Sequence, residues 1–578
     1  MKKYHLLTAI LLLSLVSCTQ DERSPGFNSL SDSESLKEER LLKEKPVFHK
    51  GTETFIVHQN DPYTLENFKT ALQKLSSGQS QQSLTKAQAD CFSSSQELSA
   101  THYALKIYPR NESEQWQIEL MEGIKVSYIP FDYVQLPEDE QKRLKQDYGS
   151  SLQQSSTLET SPYTVTYDDL MTTDGPVPPE TYTMPILYTV WPCDKPLPEA
   201  YDYIIDYEVF IPQYNDGTKS QSGLSTDALH ILEQEAISIA LGKPVNNEAT
   251  TKSSSVVRTL TKILYCHDNL MKNLPVANLK IQFKLGSNIW ETYTQSNGYF
   301  SITNAIPLEA TYSQIFQHPR WKITMENSTS PISYTLGTVQ DAWHNNTDKT
   351  FTTYSYAEFP VYEILRAVNY YYNGNHSIRT WHYDEGIRIR ALTKENETSN
   401  GYFTYSKYNR AYISIYANNE QKRHWRTGTV LHELGHFTMY GERGGYTKFN
   451  QVHRLIQESY ASYVGYYLGE RYYESQGYTK TSINENVTGQ GRQGWEKIKP
   501  TDYSPLFVDL IDDYNQGASP TSSYNYDTIK NFPHSIIRTM AATCTDKSAI
   551  KSKLQEYVGV YYTSSELTKF LEPYNNAF

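Results

Sequence analysis

The stretch Thr429-Val430-Leu431-His432-Glu433-Leu434-Gly435-His436 constrains this chain more than any other. Residues four apart stack on one face of a helix. His432 and His436 can therefore aim their imidazoles at one ion, at about 2.0–2.1 Å for zinc. Glu433 lies beside that face, within reach of a water held there. Leu431, Leu434 and Phe437 fall on the opposite side and can bury the helix, and Gly441 is the expected C-terminal stop. The bland alternative for such an HExxH is a surface helix with two solvated histidines.

A catalytic metal needs a third protein ligand and leaves its fourth position to water. Glu458 is the expected third ligand. It lies in Leu455-Ile456-Gln457-Glu458-Ser459-Tyr460-Ala461-Ser462-Tyr463, a second helical run whose small residues let two helices approach closely. Glu442 and His453 are rival ligands. Glu442 has the sequence offset used by metzincins, but the glycine that motif requires is Met439 here.

HExxH on one helix, completed by a glutamate on the next, resembles the gluzincin clan of zinc peptidases. The resemblance implies Zn2+ held by His432, His436 and Glu458, and hydrolysis of peptide bonds by a metal-activated water with Glu433 as general base. Thermolysin-like members place an aspartate four residues after the ligand glutamate to orient the first histidine. Ser462 stands there in this chain, so that support is expected to be weaker or to come from elsewhere. The oxyanion needs a second donor, for which His534 is the candidate, with Tyr524 and Tyr526 as alternatives.

The N-terminus reads as a secretory signal. Lys2 and Lys3 precede an apolar run from Leu6 to Val16, too short for an ordinary membrane span. Leu15-Val16-Ser17-Cys18 resembles a bacterial lipobox, which implies lipidation of Cys18. The following Thr19-Gln20-Asp21-Glu22 is similar to the acidic export tags of Bacteroidetes surface lipoproteins. The expected location is therefore the outer membrane, lipid-anchored, at the cell surface or facing the periplasm.

A chain of 578 residues should divide into several domains. Its net charge of −12, without a concentrated basic face, argues against nucleic acid as a partner. The expected partner is a protein or peptide substrate, with membrane contact only through the anchor. The 49 tyrosines suit wet strands, rims and peptide- or carbohydrate-facing surfaces. Cys91, Cys193, Cys266 and Cys544 are scattered and make no metal site.

The boundaries expected are signal 1–17, flexible tether 18–50, an N-terminal α+β domain 51–215, a helical linker region 216–270, a β-sandwich 271–330 and a catalytic domain 331–578. Helices are predicted at 65–75, 226–241 and 360–372, and strands at 386–392 and 412–416. In the sandwich region, alternating Ile281, Phe283 and Leu285 are followed by Trp290, Thr292 and Thr294, and then an Asn297-Gly298 turn. This pattern resembles a carboxypeptidase-regulatory-like, transthyretin-like module. The expected fold class is thus multidomain α+β: an N-terminal α+β domain, a small β-sandwich and a C-terminal zincin-like α+β domain. Two competing readings are a non-catalytic binding or adhesion lipoprotein with a vestigial zinc site, and an enhancin-like, glycoprotein-directed peptidase.

Overall fold

The computed structural model describes residues 61–574 with interruptions, the longer ones at 129–160, 215–222, 243–259, 267–273, 340–348, 352–358, 381–385, 393–400, 417–422, 478–505 and 512–528. The signal, Cys18 and the tether lie outside the described residues. Within them the chain is α+β, with helices and several mainly antiparallel sheets. No helix among these residues is long and apolar enough to cross a membrane.

The N-terminal region centres on an antiparallel sheet in the order Val126–Ser127, Leu187–Pro192, His102–Tyr108, Asp202–Val209. Its core joins Leu105, Ile107, Ile118, Leu187 and Trp191. The helix Leu65–Ser76 starts where the Thr64 side chain accepts from the Asn67 amide, and it buries Leu65, Phe68, Leu72 and Leu75 along one stripe. The helix Thr226–Leu241 packs against it. Ser225 caps that helix, and Gly242, in the left-handed region at φ 61°, ends it.

Two four-stranded sheets follow. One runs Asn288–Tyr293, Lys280–Leu285, Thr311–Ile315, Ser333–Thr338; the other joins Leu274–Pro275, Leu260–Cys266 and Tyr299–Ile302, with Lys349–Phe351 also on Leu260–Cys266. Phe283 of the first meets Phe300 of the second at a ring separation of 6.4 Å. Gly298 turns the chain from one sheet to the other at φ 77°, where a Cβ would lie 2.4 Å from the Leu264 carbonyl oxygen. Only glycine fits such a position.

Sheet membership does not change at residue 330. Gln317–His318 and Trp321–Met325 join a five-stranded sheet, whereas Ser333–Thr338 and Lys349–Phe351 return to the two four-stranded sheets. The five-stranded sheet is ordered Gln317–His318, Trp321–Met325, Ile387–Leu392, Tyr412–Tyr416, Gly401–Thr404. Its three middle strands are parallel, and Gly401–Thr404 is an antiparallel edge strand. The helix Phe359–Asn373 lies within the crossover between the first two parallel strands, as a parallel connection requires. The motif helix, Arg423–Glu442, follows Tyr412–Tyr416 and also packs on this sheet.

Alternation gives this sheet one apolar face, formed by Trp321, Ile323, Ile387, Ile389, Ile413 and Ile415, all fully buried. The other face carries Lys322, Arg388 and Arg390, which are also buried, because the N-terminal region covers them with acids. Lys322 pairs with Glu119 at 3.1 Å, Arg388 with Glu112 at 3.0 Å and Arg390 with Glu180 at 2.6 Å. Tyr182 and Tyr412 stack on Arg388 at 4.9 and 4.7 Å. Buried charges survive only when paired, so this face ties the N-terminal region to the five-stranded sheet.

Candidate metal centre

Two helices build the site. The motif helix presents His432 and His436 one turn apart, and the ligand helix, Arg454–Ser475, presents Glu458. Glycines bring their backbones together. A Cβ on Gly435 would lie 2.7 Å from the Ala461 Cα, and one on Gly465 would lie 3.1 Å from the His432 amide nitrogen. Further polar contacts hold the motif helix. Arg426 pairs with Glu363 at 2.6 Å, and Tyr371 and Thr438 share a 2.8 Å hydrogen bond.

The Nε2 atoms of His432 and His436 lie 3.2 and 3.5 Å from Glu458 Oε2. All three ligand atoms fall within 4.8 Å of one another, the one such group of three among the described residues. Three ligands at tetrahedral positions around an ion held at about 2.0–2.1 Å would lie roughly 3.3 Å apart, and the two histidine–glutamate distances match that spacing. His436 is buried and His432 partly open, which leaves one side of the cluster accessible.

Electrostatics follow from burial and proximity. Burial alone would raise the Glu458 carboxyl, but the pull of His436 and His432 prevails and holds it well below the usual range. Burial pushes Glu433 up, against the pull of both histidines. The Phe403 backbone N–H donates to the Glu433 carboxylate, and the Phe403 ring stacks on His436 at 6.2 Å. Phe403, on the edge strand, therefore touches both Glu433 and His436. The sequence offered no signal for it, since a backbone donor leaves no residue-type signature.

Ser462 is the orienting group on the first histidine. Its Oγ lies 3.4 Å from His432 Nδ1, a long contact made from the position where the resemblance placed an aspartate. His436 Nδ1 has no hydrogen-bond partner among the described residues.

The rival ligands lie elsewhere. Glu442 pairs with Arg538 at 3.0 Å, and His453 caps the ligand helix by accepting from the Leu455 amide. The motif helix also runs past Gly441. It stops at Gly444, whose φ of 74° provides the left-handed turn that Gly441 does not.

His534 is not brought to the cluster. Its Nδ1 bonds the Tyr463 hydroxyl, and its ring lies 4.2 Å from that of Tyr467. At about 100° per residue these two positions sit roughly 140° and 180° around the ligand helix from Glu458. Burial lowers the His534 pKa and favours a neutral ring in an aromatic niche. The alternatives Tyr524 and Tyr526 lie outside the described residues. Cys91, Cys193 and Cys544 are free thiols.

No protein-family profile matches this chain, and no curated protein or solved structure matches it.

Proposed function

We propose that the chain is a zinc-dependent peptidase. The convergence of His432, His436 and Glu458 beside a buried carboxylate at position 433 carries the reading. Two imidazoles and one carboxylate, with one side open, are the donor set of a catalytic rather than a closed structural zinc site. A purely structural site has no use for a glutamate beside its open position.

Zinc bound there would supply Lewis acidity and an acidified water. The chain's own residues do the rest. Glu433, held by the Phe403 amide, takes the proton of the attacking water and delivers it to the leaving amine. Its raised pKa suits a group that must both accept and return a proton. Ser462 and the Phe403 ring fix the planes of the two imidazoles. The two glycine contacts set the spacing between helices on which ligand convergence depends.

Display on a lipid anchor at Cys18 belongs to the same proposal and rests on the lipobox-like residues alone. A Cys18→Ser chain should lose incorporation of labelled fatty acid.

The central test compares wild type with Glu433→Gln. Both should carry one zinc per chain by elemental analysis, and only wild type should cleave a peptide library. Equal cleavage by the two would overturn the mechanism. Glu458→Ala should lose zinc readily and Glu442→Ala should not.

A further inference from the structure

The edge strand that carries Phe403 is pinned from outside the five-stranded sheet. Tyr405, the next residue after Gly401–Thr404, exchanges both backbone hydrogen bonds with Met171, at 2.8 and 2.9 Å, in an antiparallel bridge. Asp169 holds the two residues that follow, accepting from the Ser406 hydroxyl at 2.6 Å and from the Lys407 amide at 2.8 Å. One short segment of the N-terminal region thus fixes three consecutive positions. Leu170 seats that segment, buried with Tyr167, Tyr182 and Tyr412. The hairpin of Met171–Thr172 and Gly175–Pro176 then turns the chain back. At its tip Asp174 meets Arg454 in an exposed ion pair, of a kind that contributes little.

Neighbouring residues of a strand turn their amides to opposite edges, and residues two apart turn them to the same edge. Tyr405 gives both its backbone groups to Met171 rather than to Tyr412–Tyr416. Phe403, two residues back, therefore presents its amide on that same outer edge, where it donates to the Glu433 carboxylate. A twist of the strand about its own axis would swing both amides together. The Met171–Tyr405 pair and the Asp169 carboxylate resist such a twist, within four residues of the amide that holds the base.

Resting on the peptidase reading, we propose that Asp169 is a positioning residue: it pins the end of the edge strand and thereby aims the Phe403 amide at Glu433. The metal ligands sit on two other elements, Arg423–Glu442 and Arg454–Ser475, so zinc should bind without it. A reacting group displaced by about 1 Å can cost about 10²-fold in rate. A loosened base therefore lowers kcat and leaves substrate binding intact.

The test compares wild type with Asp169→Ala, Asp169→Asn and Asp174→Ala. Hydrogen exchange of the metal-free chains, resolved to single amides by electron-transfer fragmentation, reads the strand independently of activity. Asp169→Ala should speed exchange at Phe403 at least tenfold and leave the amides of Tyr412–Tyr416 unchanged. With one zinc per chain it should also lower kcat at least tenfold at an unchanged KM, on a peptide that wild type cuts. Asp169→Asn keeps an acceptor oxygen and should recover part of both losses, and it carries the test if the alanine variant fails to fold. Asp174→Ala should change neither. Unchanged exchange at Phe403, or a kcat that falls only in step with zinc content, overturns the positioning role. The peptidase reading then still stands if wild type cleaves and Glu433→Gln does not. No cleavage by wild type overturns that reading itself, whatever the exchange at Phe403.

Discussion

Gly435→Ala isolates the contact on which the site's geometry depends. The added Cβ would lie 2.7 Å from the Ala461 Cα and 3.1 Å from the Ala461 carbonyl oxygen, whereas ordinary contact begins at 3.4 Å. Both neighbours are backbone and cannot swing aside, so the helices must part by roughly 0.7 Å near the ligands. Overpacking of this kind costs about 1–3 kcal/mol, and replacing glycine by alanine inside a helix returns up to about 1 kcal/mol. A net loss of about 0–3 kcal/mol is expected in the metal-free chain. Zinc should suffer more, because ligand distances tolerate only about ±0.2 Å. Affinity should fall at least ten- to hundredfold, as it does when an orienting group is lost.

Gly428→Ala is the matched control. It lies in the same helix with nothing within 4 Å of its Cβ, so it should gain up to about 1 kcal/mol and leave zinc affinity unchanged. Urea midpoints of chelator-treated protein give the stability, and competition with a chromophoric chelator gives the affinity. If Gly435→Ala matched Gly428→Ala in both assays, close helix approach would not be what sets the ligand spacing.

The remaining predictions concern single contacts. Ser462→Ala should lower zinc affinity about tenfold, measured by the same competition, with little change in urea midpoint. His534→Ala should change kcat/KM by less than tenfold, because loss of a true oxyanion donor costs about 10²–10³-fold. Glu112→Gln leaves Arg388 buried without its ion partner and should cost about 3–5 kcal/mol near neutral pH. Burial would raise the Glu112 carboxyl, but Arg388, Lys322 and Arg410 prevail and lower it below its ordinary 4.5. Its contribution is therefore present above that value and is lost as pH falls through the folded pKa. Urea midpoints of wild type should drop with pH below about 4.5, and Glu112→Gln should show a shallower decline.

Much of the site was legible because it is local. His432, Glu433 and His436 share one turn, and Glu458 sits among small residues on the next long helix. Helix limits also followed from caps and periodicity, as at Thr226–Leu241 between Ser225 and Gly242. His534 was chosen by its order in the chain, and order does not fix which side of a helix it meets. What covers the polar face of the five-stranded sheet was not legible for a different physical reason. Arg388 and Arg390 alternate with isoleucines, a pattern that reads as a solvated sheet face.

Acids from far along the chain bury that face. Glu119 lies 203 residues from Lys322, and Glu180 lies 210 from Arg390. The tyrosines belong to the same argument. Rather than lining wet rims, Tyr63, Tyr167, Tyr207 and Tyr412 are buried, with hydroxyls donating to Glu233, Glu112, Asp61 and Glu180. A buried phenol needs an acceptor, and each of these finds a carboxylate. Glu112 and Glu180 each serve an arginine and a tyrosine at once, so the excess of tyrosine and the buried cations form one network. That network places the 169–176 hairpin against the edge strand. The five-stranded sheet and the N-terminal region should therefore fold as one unit, and the sheet expressed without residues 61–214 would leave three cations without their acids.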